Sequence, residues 1–208
     1  MRLTKFSHAC VRIERDGVLV IDPGELSEPA ALDGADAVLI THEHVDHLDV
    51  GALTDALAAR PQVRVFTHPE VTAKLGDLRD VVTEVAAGDG FEAAGFAVRV
   101  FGGRHAEIHP ELPRVANNGY FVEGVYHPGD SFDVPAGVEV HTLFVPVSGP
   151  WLKLSDSVEF IRAVAPRRAY ALHDGLLNEA GLKVYDGGVS RLAGCDYARL
   201  AAGETVTP

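Results

Sequence analysis

Thr41-His42-Glu43-His44-Val45-Asp46-His47 decides how this 208-residue chain is read. Three imidazoles and a carboxylate follow directly on the apolar run Ala37-Val38-Leu39-Ile40. Borderline divalent cations such as zinc take neutral imidazole and carboxylate ligands. His42 and His44 are one residue apart, so in an extended turn they point the same way. Asp46 and His47 follow at an expected helix start and face a second point. The pattern predicts a site for two metals at the end of a buried strand. The alternative is a solvated turn that happens to be rich in histidine. The position just past a core strand argues against it.

The rest of the chain reads as strands and helices in alternation. Cys10 to Glu14 and Val18 to Ile21 flank Arg15-Asp16-Gly17 as a hairpin. Ala37 to Ile40 is a short, wholly apolar strand, covered on both faces. Val50 to Ala59 has helical spacing, Val63 to Thr67 reads as a strand, and Pro69 to Leu75 reads as a helix with proline in its first turn. Further strands are expected at Phe96 to Phe101, Gly119 to Val122, Val138 to Val145 and Ala169 to Leu172. Ser155 to Val164 reads as a helix with Ser155 as N-cap and Val158, Ile161 and Ala165 on its inner face. No linker, low-complexity tract or repeat interrupts residues 1–208, which are read as a single domain. Two halves of similar content suggest two sheets packed face to face with helices outside.

T-H-x-H-x-D-H resembles the signature of the metallo-β-lactamase fold superfamily, whose members are mostly zinc-dependent hydrolases. The resemblance extends from the first strand to about His173. It implies an α/β, four-layer αββα sandwich with metals at the sheet edge. It also implies where the remaining ligands come from. His105 emerges after Phe96 to Phe101 and Gly102-Gly103, where the third imidazole for the first metal is expected; His109 is its rival. Asp130, in His127-Pro128-Gly129-Asp130, matches the carboxylate that bridges both metals. His173 matches the last ligand of the second metal. The implied set is His42, His44 and His105 on one metal, Asp46, His47 and His173 on the other, and Asp130 on both. Asp22 is placed beneath the cluster, bonding ligand imidazoles, and His8 at the pocket rim. Trp151 is read either as a pocket wall that stacks on a ring or as a core aromatic. His127 is read as near the cluster or exposed, and His68 and His141 as structural.

Two dications sharing a water lower its pKa toward neutrality, so the expected chemistry is hydrolysis by a metal-bound hydroxide. Asp46 could additionally accept a proton from the attacking water. No G-x-S-x-G nucleophile motif is present, which disfavours a covalent route. The cofactors expected are two divalent ions, zinc first, with manganese or iron as alternatives.

Within the superfamily the chain is similar to small cytoplasmic members allied to sugar-lactone hydrolases. His8-Ala9, Asp22-Pro23, the Gly129-Asp130 turn and the Val145-Pro146-Val147-Ser148-Gly149 loop carry that similarity. Ser148 and Pro150-Trp151 depart from the Gly-Gly form of the relatives. A small ester or lactone is the leading substrate reading. A phosphodiesterase acting on a small nucleotide or lipid headgroup, and a non-catalytic metal-binding ligand sensor, are the alternatives.

Bulk properties narrow the partners to a small molecule. A net charge of −12 with no Lys/Arg cluster argues against nucleic acid. No apolar run is long enough to span a bilayer, and the first residues lack a signal-peptide core, so a cytoplasmic protein is expected. Two cysteines, Cys10 and Cys195, give no disulfide framework. Oligomeric state is not readable from this pattern.

Overall fold

Strict alternation of buried side chains shapes the first sheet. Its strands are β1 (Arg2–Lys5), β2 (Val11–Glu14), β3 (Val18–Ile21), β4 (Ala37–Leu39), β5 (Arg64–Thr67) and β6 (Val82–Glu84). Leu19 and Ile21 of β3 face inward with Ala37 and Leu39 of β4, while Val20 and Val38 face outward, and all six are buried. A strand covered on both faces needs apolar residues at every position, which is why β3 and β4 read as unbroken apolar runs. The computed structural model describes every residue from Met1 to Pro208.

The second sheet comprises β7 (Gly90–Ala93), β8 (Phe96–Arg104), β9 (Ala116–Val122), β10 (Val125–His127), β11 (Thr142–Pro146), β12 (Arg168–Leu172) and β13 (Asp196–Ala198). A last strand, β14 (Glu204–Val206), crosses back to pair with β1. The orders are β14-β1-β2-β3-β4-β5-β6 and β13-β12-β11-β10-β9-β8-β7. The two sheets enclose a shared core that includes Leu39, Phe66, Phe96, Tyr120, Phe144 and Leu172. Helix α1 (Val50–Ala59) and the single turn α2 (Pro69–Thr72) cover the outside of the first sheet. Helices α3 (Leu154–Val164) and α4 (Glu179–Leu192) cover the second. The result is the expected αββα sandwich.

Several local expectations need correction. Pro69 to Leu75 is helical only through Thr72. The helix expected from Ser155 starts at Leu154, and its cap is Lys153, whose backbone N–H donates to the Asp156 carboxylate at 2.7 Å. Ala165 is not on the inner face; it ends α3 in the left-handed region at φ 52° and is exposed. The strand expected from Val138 starts at Thr142, because the three-residue β10 gives β11 nothing to pair with before that point. Helix α4 escaped the sequence reading because Gly181, Gly187 and Gly188 dilute its pattern and only Val189 is fully buried. Gly188 has a packing reason: a Cβ there would meet Leu154 Cδ1 at 2.5 Å.

Polar bonds stitch the two sheets together at one end. Tyr120, fully buried, donates its hydroxyl to the Ile40 carbonyl at 2.9 Å. Asn118 N–H donates to Thr41 O at 2.9 Å, His127 Nε2–H to Ala9 O at 2.8 Å, and His173 N–H to His8 O at 3.0 Å. Each bond joins one sheet to the loops of the other, at the end where the strands β3, β4, β8 and β12 finish. Tyr120→Phe should therefore cost about 0.5–1.5 kcal/mol, the net contribution of one hydrogen bond, since the Thr67 hydroxyl still donates to Ile40 O at 2.9 Å. Urea unfolding should show a lower midpoint at unchanged slope.

Candidate metal centre

Asp22 follows β3 directly, in the left-handed region at φ 51° that Asp tolerates better than most residues. Its carboxylate is fully buried and accepts three short bonds. Oδ1 takes the Thr41 backbone N–H at 2.7 Å; Oδ2 takes the Thr41 hydroxyl at 2.7 Å and His47 Nδ1–H at 2.7 Å. One side chain thereby fixes both ends of the loop that leaves β4. Gly24 completes the seat, since a Cβ there would overlap the backbone of Asp46 and His47. Gly129, at φ 61°, does the same opposite, where a Cβ would overlap Asn117 and Thr41.

These anchors turn the imidazoles inward. Thr41 gives its hydroxyl proton to Asp22 and so accepts from His42 Nδ1–H at 2.9 Å, which leaves a lone pair on His42 Nε2, 3.1 Å from His44 Nδ1. His47 Nδ1 is held by Asp22, so its Nε2 faces the cluster. His105 Nδ1–H donates to the Ala106 carbonyl at 2.6 Å, again leaving Nε2 bare. A ring nitrogen tied outward sets the tautomer and makes the other nitrogen a ligand.

Three inward-facing ring nitrogens meet at Asp130. His47 Nε2 lies 3.1 Å from its Oδ1; His105 Nε2 and His173 Nε2 lie 3.2 and 3.1 Å from its Oδ2. Asp46 Oδ2 is 3.3 Å from His173 Nε2. Despite these distances, His47 Nε2, His105 Nε2, His173 Nε2 and Asp130 Oδ1 make no hydrogen bond and are buried. Buried polar atoms are normally satisfied, and donors that crowd together without bonding one another suit a shared cation. Two groups of ligand atoms result, each within 4.8 Å: His42, His44, His105 and Asp130, and His8, Asp46, His47 and His173. The residues present fit divalent ions in number, donor type and orientation. His44 and Asp46 are only partly buried, so the cluster opens to solvent on their side.

The charges answer one another. Burial alone would raise the Asp130 carboxyl, but the facing His47 and His173 outweigh it and hold it well below the usual range. Burial likewise opposes charge on His173, yet Asp130 pushes it up to about 9. His47 is also raised against its burial, by Asp130 and Asp22. Burial lowers His42 and His44, with neighbouring imidazoles adding to it. The pocket thus holds imidazoles of both kinds around two carboxylates, a field that a dication can replace.

The structure brings together His42, His44, Asp46, His47, His105, Asp130 and His173, with Asp22 beneath them. It separates His105 from its rival: His109 is exposed and outside the cluster. His8 is not at the rim but fully buried beside Asp46 and His173. Trp151 serves both readings. It is 8% exposed, packs on Phe132 at 5.3 Å, and stands edge-on to His105 and His173 at 5.6 and 5.8 Å. His127 is fully buried, not exposed, 4.0 Å from Asp22 Oδ2. His68 caps α2, accepting Glu70 N–H at 3.1 Å, and His141 pairs with Glu139 at 3.4 Å, so both are structural. The sequence reading missed Thr41 as the relay between Asp22 and His42, and Asn117, whose Oδ1 accepts the Asp130 N–H at 3.0 Å. Thr41 opens the motif and could have been found there; nothing local marks Asn117.

Comparison with known proteins agrees with this fold. A family model described as a β-lactamase superfamily domain matches residues 2–173. A Mycobacterium tuberculosis protein is 36% identical over 100% of both chains. A metal-dependent hydrolase of the UPF0173 group from Dinoroseobacter shibae is 31% identical over 67% of both. Among solved structures, a metallo hydrolase from the archaeon Ignicoccus hospitalis superposes with a TM-score of 0.75 at 19% identity, covering 99% of this chain and 97% of that one. With the αββα layers and the His/Asp cluster already described, the chain belongs to the β-lactamase superfamily in its metallo-β-lactamase fold, among the metal-dependent hydrolases.

Proposed function

We propose that this protein is a binuclear hydrolase acting on a small ester or lactone in the cytoplasm. The observation that carries the reading is the pair of four-residue ligand groups with Asp130 placed against both. His42, His44 and His105 would hold one cation, Asp46, His47 and His173 the other, and Asp130 would touch both. When bound, two such ions, zinc foremost, supply Lewis acidity and lower the pKa of water.

The chain's own residues do the rest. Asp130 would offset the charge of the cations, and its N–H, donating to Asn117 Oδ1, keeps it in place. Asp46, a quarter exposed at the mouth, would accept a proton from the solvent side. Trp151 walls one side of the centre and screens it from water. Beside it a cavity of about 390 Å³ is lined by Arg104, Arg114, Glu107, Asp133, Asp156 and Trp151. Three carboxylates against two guanidiniums give no preference for an anion, which favours a neutral acyl substrate over a phosphodiester. The exposed Val45, between His44 and Asp46, adds an apolar edge to the mouth. Two free thiols, with Cys10 buried and pushed up to about 12 by that burial, suit a reducing compartment.

Alanine at His44 or Asp130 should remove bound metal and activity together, measured by elemental analysis and by turnover of a lactone panel alongside bis(p-nitrophenyl) phosphate. Full metal content after either change would refute the ligand assignment, and hydrolysis of the phosphodiester alone would refute the substrate class. Full metal loading with no turnover on either panel would point to a ligand sensor.

Metal removal has a second consequence. His47 and His173 are raised in the metal-free protein and must lose protons to become ligands. Zinc uptake near pH 7 should release about two protons, with affinity falling up to ~100-fold per pH unit of acidification; calorimetry in buffers of different ionisation enthalpy reads this directly. The sign for stability follows. A histidine raised from 6.5 to about 9 stabilises the metal-free fold below about 6.5, and that contribution is lost as pH rises through 9. Urea midpoints of chelator-treated protein should fall between pH 6.5 and 9, while metal-loaded protein should not show this loss.

A further inference from the structure

His8 falls within the four-residue group that includes Asp46, His47 and His173, and distance alone would make it a ligand. Its surroundings say otherwise. The Gly175 backbone N–H donates to His8 Nδ1 at 3.2 Å. A ring nitrogen that accepts a hydrogen bond carries a lone pair, so in the neutral imidazole the proton sits on Nε2. That Nε2 lies 3.0 Å from Asp46 Oδ2. It therefore points a proton, not a lone pair, at the cluster.

The backbone around it is built to hold this pose. His8 takes φ 60° and His173 takes φ 58°, both in the left-handed region that costs a non-glycine residue energy. His173 N–H donates to His8 O at 3.0 Å, and the two rings lie 3.9 Å apart. Lys5, 1% exposed, pairs with Asp174 at 3.4 Å and donates to Phe6 O, tying the same two segments a second time. Residues 5–8 and 173–175 thus form a clasp in which each side fixes the other. His8 is fully buried, so the ring has no freedom to turn its other nitrogen inward.

We propose that His8 is a positioning residue, not a metal ligand: Gly175 sets its tautomer, and its Nε2–H holds Asp46 in place as a ligand of the second cation. This rests on the two-cation reading above. The first cation, held by His42, His44 and His105, does not depend on it, since none of those rings contacts residues 5–8. Losing an outer hydrogen bond of this kind weakens metal affinity by roughly 10–100-fold.

The test uses full-length protein with ¹⁵N-labelled histidine, loaded with Zn²⁺. Long-range ¹H–¹⁵N correlation spectra should show His8 protonated at Nε2 and bare at Nδ1. Competition with a chelating dye should show His8→Ala losing about 10–100-fold in affinity for one Zn²⁺ only, and His8→Gln, whose amide still donates, recovering most of it. A His8 Nε2 without a proton and bound to zinc would overturn the proposal. So would His8→Ala binding both ions as tightly as the native chain. Wild-type protein that takes up a single Zn²⁺ would instead defeat the two-cation reading and, with it, the ligand role of Asp46, while a His8 found bound to zinc in protein that takes up two would overturn this proposal alone.

Discussion

The three bonds accepted by Asp22 are the constraint on which the centre depends. A carboxylate with no solvent contact needs donors, and here every donor comes from the loop after β4: the Thr41 N–H, the Thr41 hydroxyl and the His47 ring. Satisfying Asp22 therefore determines where that loop goes. It also determines chemistry at one remove. The proton that Thr41 gives to Asp22 frees its oxygen to accept from His42, so one buried oxygen pair sets the tautomers of two ligand rings.

Above that floor the problem is reversed. Asp130, Asp46 and several imidazoles are drawn from different strands into one small volume. Burial raises the cost of every charge they carry. In the metal-free protein Asp130 pushes His47 and His173 toward their protonated forms against the cost of burial. Cations can take over that balance, because Nε2 of His47, His105 and His173 already converge on Asp130. The two αββα halves supply the frame: ligands come from the ends of strands in both sheets, and the cross-sheet bonds of Tyr120, Asn118, His127 and His173 keep those ends in register.

Much of this was legible in the residues because it is local or strongly patterned. His42 to His47 is a contiguous motif, and the apolar runs of β3 and β4 announce strands buried on both faces. His105, Asp130 and His173 were legible only through the resemblance to the metallo-β-lactamase fold, since their local sequence alone reads as ordinary turns at strand ends. What escaped reading was held by long-range contacts. His8 and Gly175 are far apart in sequence, and nothing near either predicts that one backbone N–H fixes the other's ring. The burial of His127 depends on a bond to Ala9. Helix α4 carries only a thin apolar stripe, interrupted by glycines, and Gly188 among them sits where the helix packs against Leu154.

Anomalous diffraction from crystals grown with Zn²⁺ tests the central claim most directly. The account predicts two peaks, one among His42, His44, His105 and Asp130, the other among Asp46, His47, His173 and Asp130. A single peak, or zinc bound away from Asp130, would contradict it.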